Sequence, residues 1–238
     1  MCGINGIIYK KNKPNILEVH RMNKAIKHRG PDDEGIYKYE NIILGHVRLS
    51  ILDLSKKGKQ PMSNDGRFWI SYNGEIYNYK ELITENNFIY KSNSDCEIII
   101  HMYIRYGIEY TCQQLDGVFS FVLYDSVREI VYSARDHLGI RPLYYGINKN
   151  NYQEYLDRLD NNNTIASNDI CFASEAKALT FMNFIEQFPP RCYWSSKDSL
   201  FHQYYSFENV IEKVYHNNEE IIFRNIHDLL YEAVRKRF

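Results

Sequence analysis

GVFSFVLYD (117–125), followed closely by EIVYSARD (129–136), decides the fold of this chain. Both runs are dense in β-branched and aromatic residues and bounded by Gly, Asp or Glu, the composition of strands that pack on a pleated surface. Working outward, GINGIIY (3–9), NIILGHVRLSIL (41–52) and RFWISYN (67–73) have the same character. Many strands with few helical stretches between them disfavour a regular βαβ alternation and favour stacked, mainly antiparallel sheets. Two stretches do carry helical spacing. Ile16, Val19, Met22 and Ile26 recur on one face, and DCEIIIHMYIRYG (95–107) sets Ile98, Ile99 and Met102 on one side. Amphipathic helices outside the sheets follow, and the class is α+β.

Composition bounds the function. At 238 residues, 44% hydrophobic and 25% charged, the chain suits one large domain or a domain plus a stub. A formal net charge of −1 gives no electrostatic case for nucleic acid or an anionic membrane. The Met-Cys-Gly-Ile start lacks a basic leader and no stretch approaches a membrane span, so the cytoplasm is the expected compartment. Five cysteines at 2, 96, 112, 171 and 192 form no CxxC pair, and eight histidines form no HxxxH or HxH cluster. Reduced thiols and no metal site are expected. Neither GxGxxG nor GxxxxGK[ST] occurs, so no phosphate loop is expected.

Two segments stand apart. Residues 148–170 are crowded with Asn and Asp and read as a surface excursion, either a short helix on Tyr152, Tyr155, Leu156 and Leu159 or an irregular loop. The closing NIHDLLYEAVRKRF (225–238) sets Ile226, Leu229, Leu230, Ala233 and Val234 on one helical face. That face needs a partner, either its own domain or a further one.

The polar motifs admit structural readings, and some admit a chemical one as well. In HRGPDDEG (28–35), Pro31 fixes a turn after Gly30. In HVRLSILD (46–53), Arg48 lies within a strand pattern, where a guanidinium needs exposure or an anionic partner. In NGEIYN (73–78), Asn-Gly behind a hydrophobic strand is a hairpin signal, yet it also offers a side-chain amide beside an unencumbered N–H, the chemistry of an oxyanion hole. In SNSDCE (92–97), Asp95 reads as a helix N-cap.

Cys2 changes the weight of these readings. Removal of Met1 would put a thiol and a free α-amine on one residue, a nucleophile with its own base. An α-amine titrates near ~7.7–8.0, far below a lysine amine, so a useful fraction is unprotonated at neutral pH.

The motifs MCGINGI, KHRGPDDEG, HVRLSILDL, YNGEIYNY, SDCEIII, LDGVFSFVLYD, ARDHLGIRPLYY and ASEAKAL, in that order over residues 1 to about 181, resemble the glutaminase domain of class II glutamine amidotransferases, which are N-terminal-nucleophile hydrolases. HVRLSI and NGEIYNY point to the asparagine synthetase branch. The resemblance implies a four-layer αββα sandwich of two mainly antiparallel sheets flanked by helices. It implies catalysis by Cys2, with Asn73 and Gly74 holding an oxyanion. Glutamine would be bound by Arg48 at its α-carboxylate, by Asp95 and Glu75 at its α-ammonium, and by Leu49, Ile51 and Leu52 of the arginine strand. PPRCYW (189–194) departs from the family in carrying Arg191 where glycine is common.

The same resemblance implies a glutaminase domain over 1–208, then a linker and the first helix of a synthetase domain over 209–238. Glutaminase chemistry needs no cofactor; ATP and Mg are expected only in a synthetase domain, supplied in cis or in trans. A homodimer is left open, and nucleic acid and membrane are not expected partners. Two alternatives remain at this stage: a stand-alone glutaminase feeding a separate acceptor, and a glutamine-binding module without turnover.

Overall fold

A computed structural model describes residues 1–238 except 11, 13, 52, 149–168, 208–217 and 238. Its strands are β1 (Gly3–Ile8), β2 (Asp33–Tyr39), β3 (Ile42–Arg48), β4 (Phe68–Ile76), β5 (Gly117–Asp125), β6 (Ile130–Arg135), β7 (Tyr144–Ile147), β8 (Ile170–Ala173), β9 (Phe184–Gln187), β10 (Cys192–Ser195) and β11 (Leu200–Gln203). They form a six-stranded sheet ordered β2-β3-β1-β8-β7-β9 and a five-stranded sheet ordered β11-β10-β6-β5-β4. Every strand pair in both sheets is antiparallel.

The period of two along each strand builds the layers. On β1, Ile4 and Ile8 face the second sheet, where they meet Val122, Tyr124 and Trp194, while Ile7 faces the other way toward Val19 and Met22. On β5, Val122 and Tyr124 face the first sheet, and Phe119, Phe121 and Leu123 face outward onto helices. Those helices are α1 (Ile16–Ala25) on the first sheet, and α2 (Tyr79–Asn86), α3 (Glu97–Tyr106) and α4 (Ile108–Gln114) on the second. The order helix, sheet, sheet, helix is the expected αββα sandwich. The helix expected over 16–26 starts where the Asn15 side chain accepts the Leu17 N–H at 3.1 Å.

The polar run of ARDHLGIRPLYY has a structural task. Asp136 accepts the N–H groups of Leu138, Ile140 and Arg141 at 2.9–3.1 Å, and Arg135 donates to the carbonyls of Gly139, Arg141 and Phe188. Together they fix the turn from β6 to β7 and bring Arg141 toward the start of the chain. Arg191, the departure from the resembled family, has φ of 61°, in the left-handed region where glycine costs least.

The closing helix, α5 (Glu219–Arg235), forms as its periodicity predicts. Its apolar face is uncovered, with Leu229 at 71% and Leu230 at 62% exposure. The segment around 148–170, apart from its ends, and residues 209–217 of the expected linker lie outside the described residues.

Candidate active site

The start of β1, the end of β3 and the free edge of β4 converge on one cleft of about 680 Å³, mouth included, a size suited to a small molecule. Cys2, Arg48, Leu49, Ile51, Asn73, Gly74, Glu75 and Asp95 all line it. Residues from four separate motifs thus meet in one place. Leu52 lies outside the described residues.

Cys2 precedes β1, and its Sγ lies 3.4 Å from the Leu49 N–H and 3.5 Å from the Leu49 carbonyl oxygen. Burial pushes the thiol pKa up, while the Leu49 N–H and the Arg48 charge pull the other way. Arg29 donates from Nε to the Cys2 carbonyl at 3.0 Å and from Nη1 to Glu175 at 3.0 Å, tethering the residue to the loop after β8. Met1 is present, its sulfur 2.7 Å from Arg141 Nη1, so the Cys2 nitrogen here is a peptide amide. Burial lowers the pKa of the terminal amine, and Arg29 and Arg141 lower it further.

Arg48 ends β3 and is 8% exposed, which excludes the surface salt bridge. Its guanidinium donates to the carbonyls of Ser55, at 3.1 Å, and Asp53. Among the described residues no carboxylate forms an ion pair with it, so its charge is left for an anion in the cleft. A Cβ on Gly58 would approach Arg48 Nη2 to 2.4 Å, so that glycine makes room for the fork. The expectation that Leu49 and Ile51 continue the strand is corrected. β3 stops at Arg48 because the Arg48 carbonyl accepts from Asp32 at 3.0 Å and Asp32 then takes the Ser50 N–H at 2.8 Å, which turns the chain into a loop.

The Asn-Gly pair does not make a hairpin. Asn73 and Gly74 lie inside β4, opposite Ser120 and Phe119 of β5. Glycine is required there because a Cβ would meet the Val118 carbonyl oxygen at 2.4 Å. β4 is an edge strand, and alternate residues point their N–H groups away from β5. Ile70 donates to the Met62 carbonyl at 2.9 Å, Tyr72 to Gln60 Oε1 at 2.7 Å and Ile76 to Asp95 Oδ2 at 2.8 Å. Gly74 shares this phase, and its N–H has no described acceptor. Beside it the Asn73 Nδ2 is buried without a partner among the described residues. Two unpaired donors therefore lie side by side on the cleft wall, which is chemically a site for a developing negative oxygen.

Asp95 is not a helix cap. Cys96 holds the N-cap position of α3 without a side-chain bond, and the Asp95 carboxylate instead accepts the Tyr72 hydroxyl at 2.6 Å and the Ile76 N–H at 2.8 Å. Burial raises its pKa to about 6, and neighbouring Glu75 adds to the rise. The cleft thus holds both a cation without a carboxylate partner among the described residues and a buried carboxyl.

Sequence reasoning missed Asp53, which ties these two poles together. It accepts Ser55 N–H at 2.8 Å beside Arg48 and Asn93 N–H at 2.9 Å beside Asp95. It also gave no role to Arg29, Gln60, Tyr72, Arg141 or Glu175. Arg29, Tyr72, Arg141 and Glu175 were visible within the quoted motifs, but nothing in Gln60 or its neighbours announces a hydrogen bond to a strand edge.

A family model described as "Glutamine amidotransferase domain" matches residues 1–234. The chain is similar to "Putative asparagine synthetase [glutamine-hydrolyzing] 2" of Methanocaldococcus jannaschii, 42% identical over 61% of this chain and 32% of that protein. It is likewise similar to "Asparagine synthetase B [glutamine-hydrolyzing]" of Escherichia coli, 37% identical over 86% of this chain and 35% of that protein. The chain therefore spans about a third of the length of these two relatives. Among solved structures, a glutamine phosphoribosylpyrophosphate amidotransferase from B. subtilis superposes with a TM-score of 0.68 at 17% identity, over 86% of this chain and 49% of that one. At that identity the match speaks for the fold.

Proposed function

The chain belongs to the glutamine amidotransferase family, and from that premise we propose that it hydrolyses glutamine to glutamate and ammonia, with Cys2 as nucleophile once Met1 has been removed. The carrying observation is the pair of unpartnered donors, Asn73 Nδ2 and Gly74 N–H, on the cleft that also holds the Cys2 thiol.

The reaction balances on one residue. The freed α-amine of Cys2 takes the thiol proton, and sulfur forms a bond to the side-chain amide carbon of glutamine as the carbonyl electron pair moves onto oxygen. Asn73 and Gly74 donate to that oxygen. The α-ammonium returns the proton to the amide nitrogen, the C–N bond breaks and ammonia leaves a thioester. Water then adds with the amine again as base, the C–S bond breaks, and glutamate and the thiol are released. Arg48 pairs with the substrate α-carboxylate, which its planar fork suits, and Asp95 with Glu75 takes the α-ammonium. Leu49, Ile51 and Leu52 form the wall beside the side chain.

A glutamine-like electrophile, such as a γ-diazoketone analogue, tests the reading. Mass spectrometry is expected to find one adduct, on Cys2 of chains that have lost Met1, with glutamate and ammonia released in equal amounts before labelling. An adduct on another cysteine would remove the assignment.

Asp95 adds a pH dependence of stated sign. Its folded pKa, about 6, lies above the unfolded carboxyl value near ~3.8, so the native state holds the proton more tightly. Stability from this group is present below the unfolded value and is lost as pH rises through 6, leaving a buried carboxylate that costs about 3 kcal/mol at pH 7. Asp95→Asn is therefore expected to raise Tm by roughly 5 °C at pH 7, while KM for glutamine rises about 100-fold. In the wild type, KM is expected to climb as pH falls below 6. Steady-state assays and thermal melts over pH 5–8 check both; a less stable variant with unchanged KM would sink the assignment.

The ammonia, we further propose, is used for ATP-dependent amidation of aspartate to asparagine in the cytoplasm, by a synthetase domain joined to this chain or bound to it, and that domain would carry the ATP and Mg. Two observations support this reading: the names of the relatives, which this chain matches over a third of their length, and the uncovered apolar face of α5. No helix among the described residues is long and apolar enough to cross a membrane.

A further inference from the structure

We propose that His46, two residues before Arg48 on β3, is a positioning residue for the oxyanion donors, acting through the backbone of β4. The inference rests on the glutaminase reading and extends it to a residue outside the cleft lining.

An edge strand leaves one row of its backbone groups without a ladder partner. Among the described residues β4 has no strand neighbour beyond it, so the outward N–H and C=O groups of Ile70, Tyr72, Gly74 and Ile76 need other partners. A further strand would satisfy all of them and close the Gly74 N–H as well. The fold instead partners several of them one by one and leaves the Gly74 N–H without a described acceptor. Ile70 exchanges two bonds with Met62, Tyr72 N–H goes to Gln60 Oε1, and Ile76 N–H goes to Asp95. The Tyr72 carbonyl receives His46 Nε2 at 3.2 Å.

That carbonyl belongs to the peptide whose nitrogen is the Asn73 backbone nitrogen. Its orientation sets the direction in which Asn73 leaves the strand and, one residue on, the direction of the Gly74 N–H. A carbonyl only accepts, so His46 Nε2 carries the hydrogen and Nδ1 is the bare nitrogen. Among the described residues Nδ1 has no partner although His46 is fully buried, an unsatisfied acceptor that ordinary core packing would avoid. Burial also pushes the imidazole pKa down to about 3, so the ring stays a neutral, fixed donor and does not serve as an acid or base. The Tyr72 hydroxyl, bonded to Asp95 at 2.6 Å, clamps the same residue from its other end.

Three variants of the processed chain test this. Glutamine can place its Nε2 where the imidazole Nε2 lies; leucine fills the space without a donor. His46→Leu is expected to lower kcat by ~10–100-fold, less than loss of a direct donor, with KM changed less than about twofold. The affinity of glutamate γ-semialdehyde, whose thiohemiacetal with Cys2 places an oxyanion between Asn73 and Gly74, should fall by the same factor as kcat. His46→Gln is expected to restore both to within about threefold of the wild type. If the leucine variant does not fold, His46→Asn, polar but too short to reach Tyr72, takes its place with the same expectation. A folded Leu or Asn variant with unchanged kcat, or one that alters KM and leaves the aldehyde affinity intact, overturns the proposal. Failure of the underlying reading is distinct: wild type and Cys2→Ala would then release glutamate at equal rates.

Discussion

Cys2→Ala is expected to abolish glutamate release, with a fall in kcat of roughly 10⁴-fold or more, because sulfur carries the covalent step and nothing else in the cleft can replace it. Among the described residues the other four cysteines are unsuited to this role: Cys96, Cys112 and Cys171 are buried, Cys192 is half-buried and does not line the cleft, and burial raises the pKa of all four. The same loss should attend any chain that keeps Met1. With Met1 in place the Cys2 nitrogen is an amide and cannot take a proton, and the Met1 side chain itself lines the cleft. Activity across preparations should therefore scale in proportion to the processed fraction read by intact mass. Full turnover by material that is wholly unprocessed would contradict the amine's role, and equal rates in Cys2→Ala would contradict the sulfur's.

Asn73→Ala is the second large effect, an expected 10²–10³-fold loss in kcat, roughly what removal of one oxyanion donor costs. The free enzyme leaves Nδ2 buried and unpaired, so alanine removes a group that contributes little to the resting protein. Folding stability should hardly change, and KM should stay near the wild-type value while kcat falls. Asn73→Asp separates shape from hydrogen bonding, since it keeps the outline and replaces the donor by an acceptor facing the oxyanion. It should be at least as inactive as alanine. A proportionate rise in KM with unchanged kcat would instead place Asn73 in ground-state binding.

Much of the fold was legible because its strands advertise themselves. GVFSFVLYD and RFWISYN became β5 and β4, and Ile16 to Ile26 became α1 and its cap, since apolar spacing is a local property that tertiary contacts only reinforce. The failures share another cause. Asn73-Gly74 read as a turn on local statistics, but β5 approaches so closely that glycine is required in mid-strand. Asp95 read as a cap, but Tyr72 and Ile76 claim its carboxylate from across the site. Arg48 read as an exposed ion pair, but carbonyls of a loop five to seven residues on hold it. In each case a contact beyond the residue's immediate neighbours overrides a preference of the residue itself. His46 and Asp53 carry no such preference, and only the assembled sheets reveal what they hold.

Asp53 staples the loop of Arg48 to the loop of Asp95, so the two charges face each other at a fixed span. An amino acid brings both countercharges at once and relieves both burial penalties together. A molecule that carries only the acid, or only the amine, forfeits one attraction and also strands the opposite pole in a dry wall. Under the proposed function, rejection of such look-alikes would be counted twice, and the cleft would ignore the many simple amides and carboxylates of a cell without any contact devoted to excluding them.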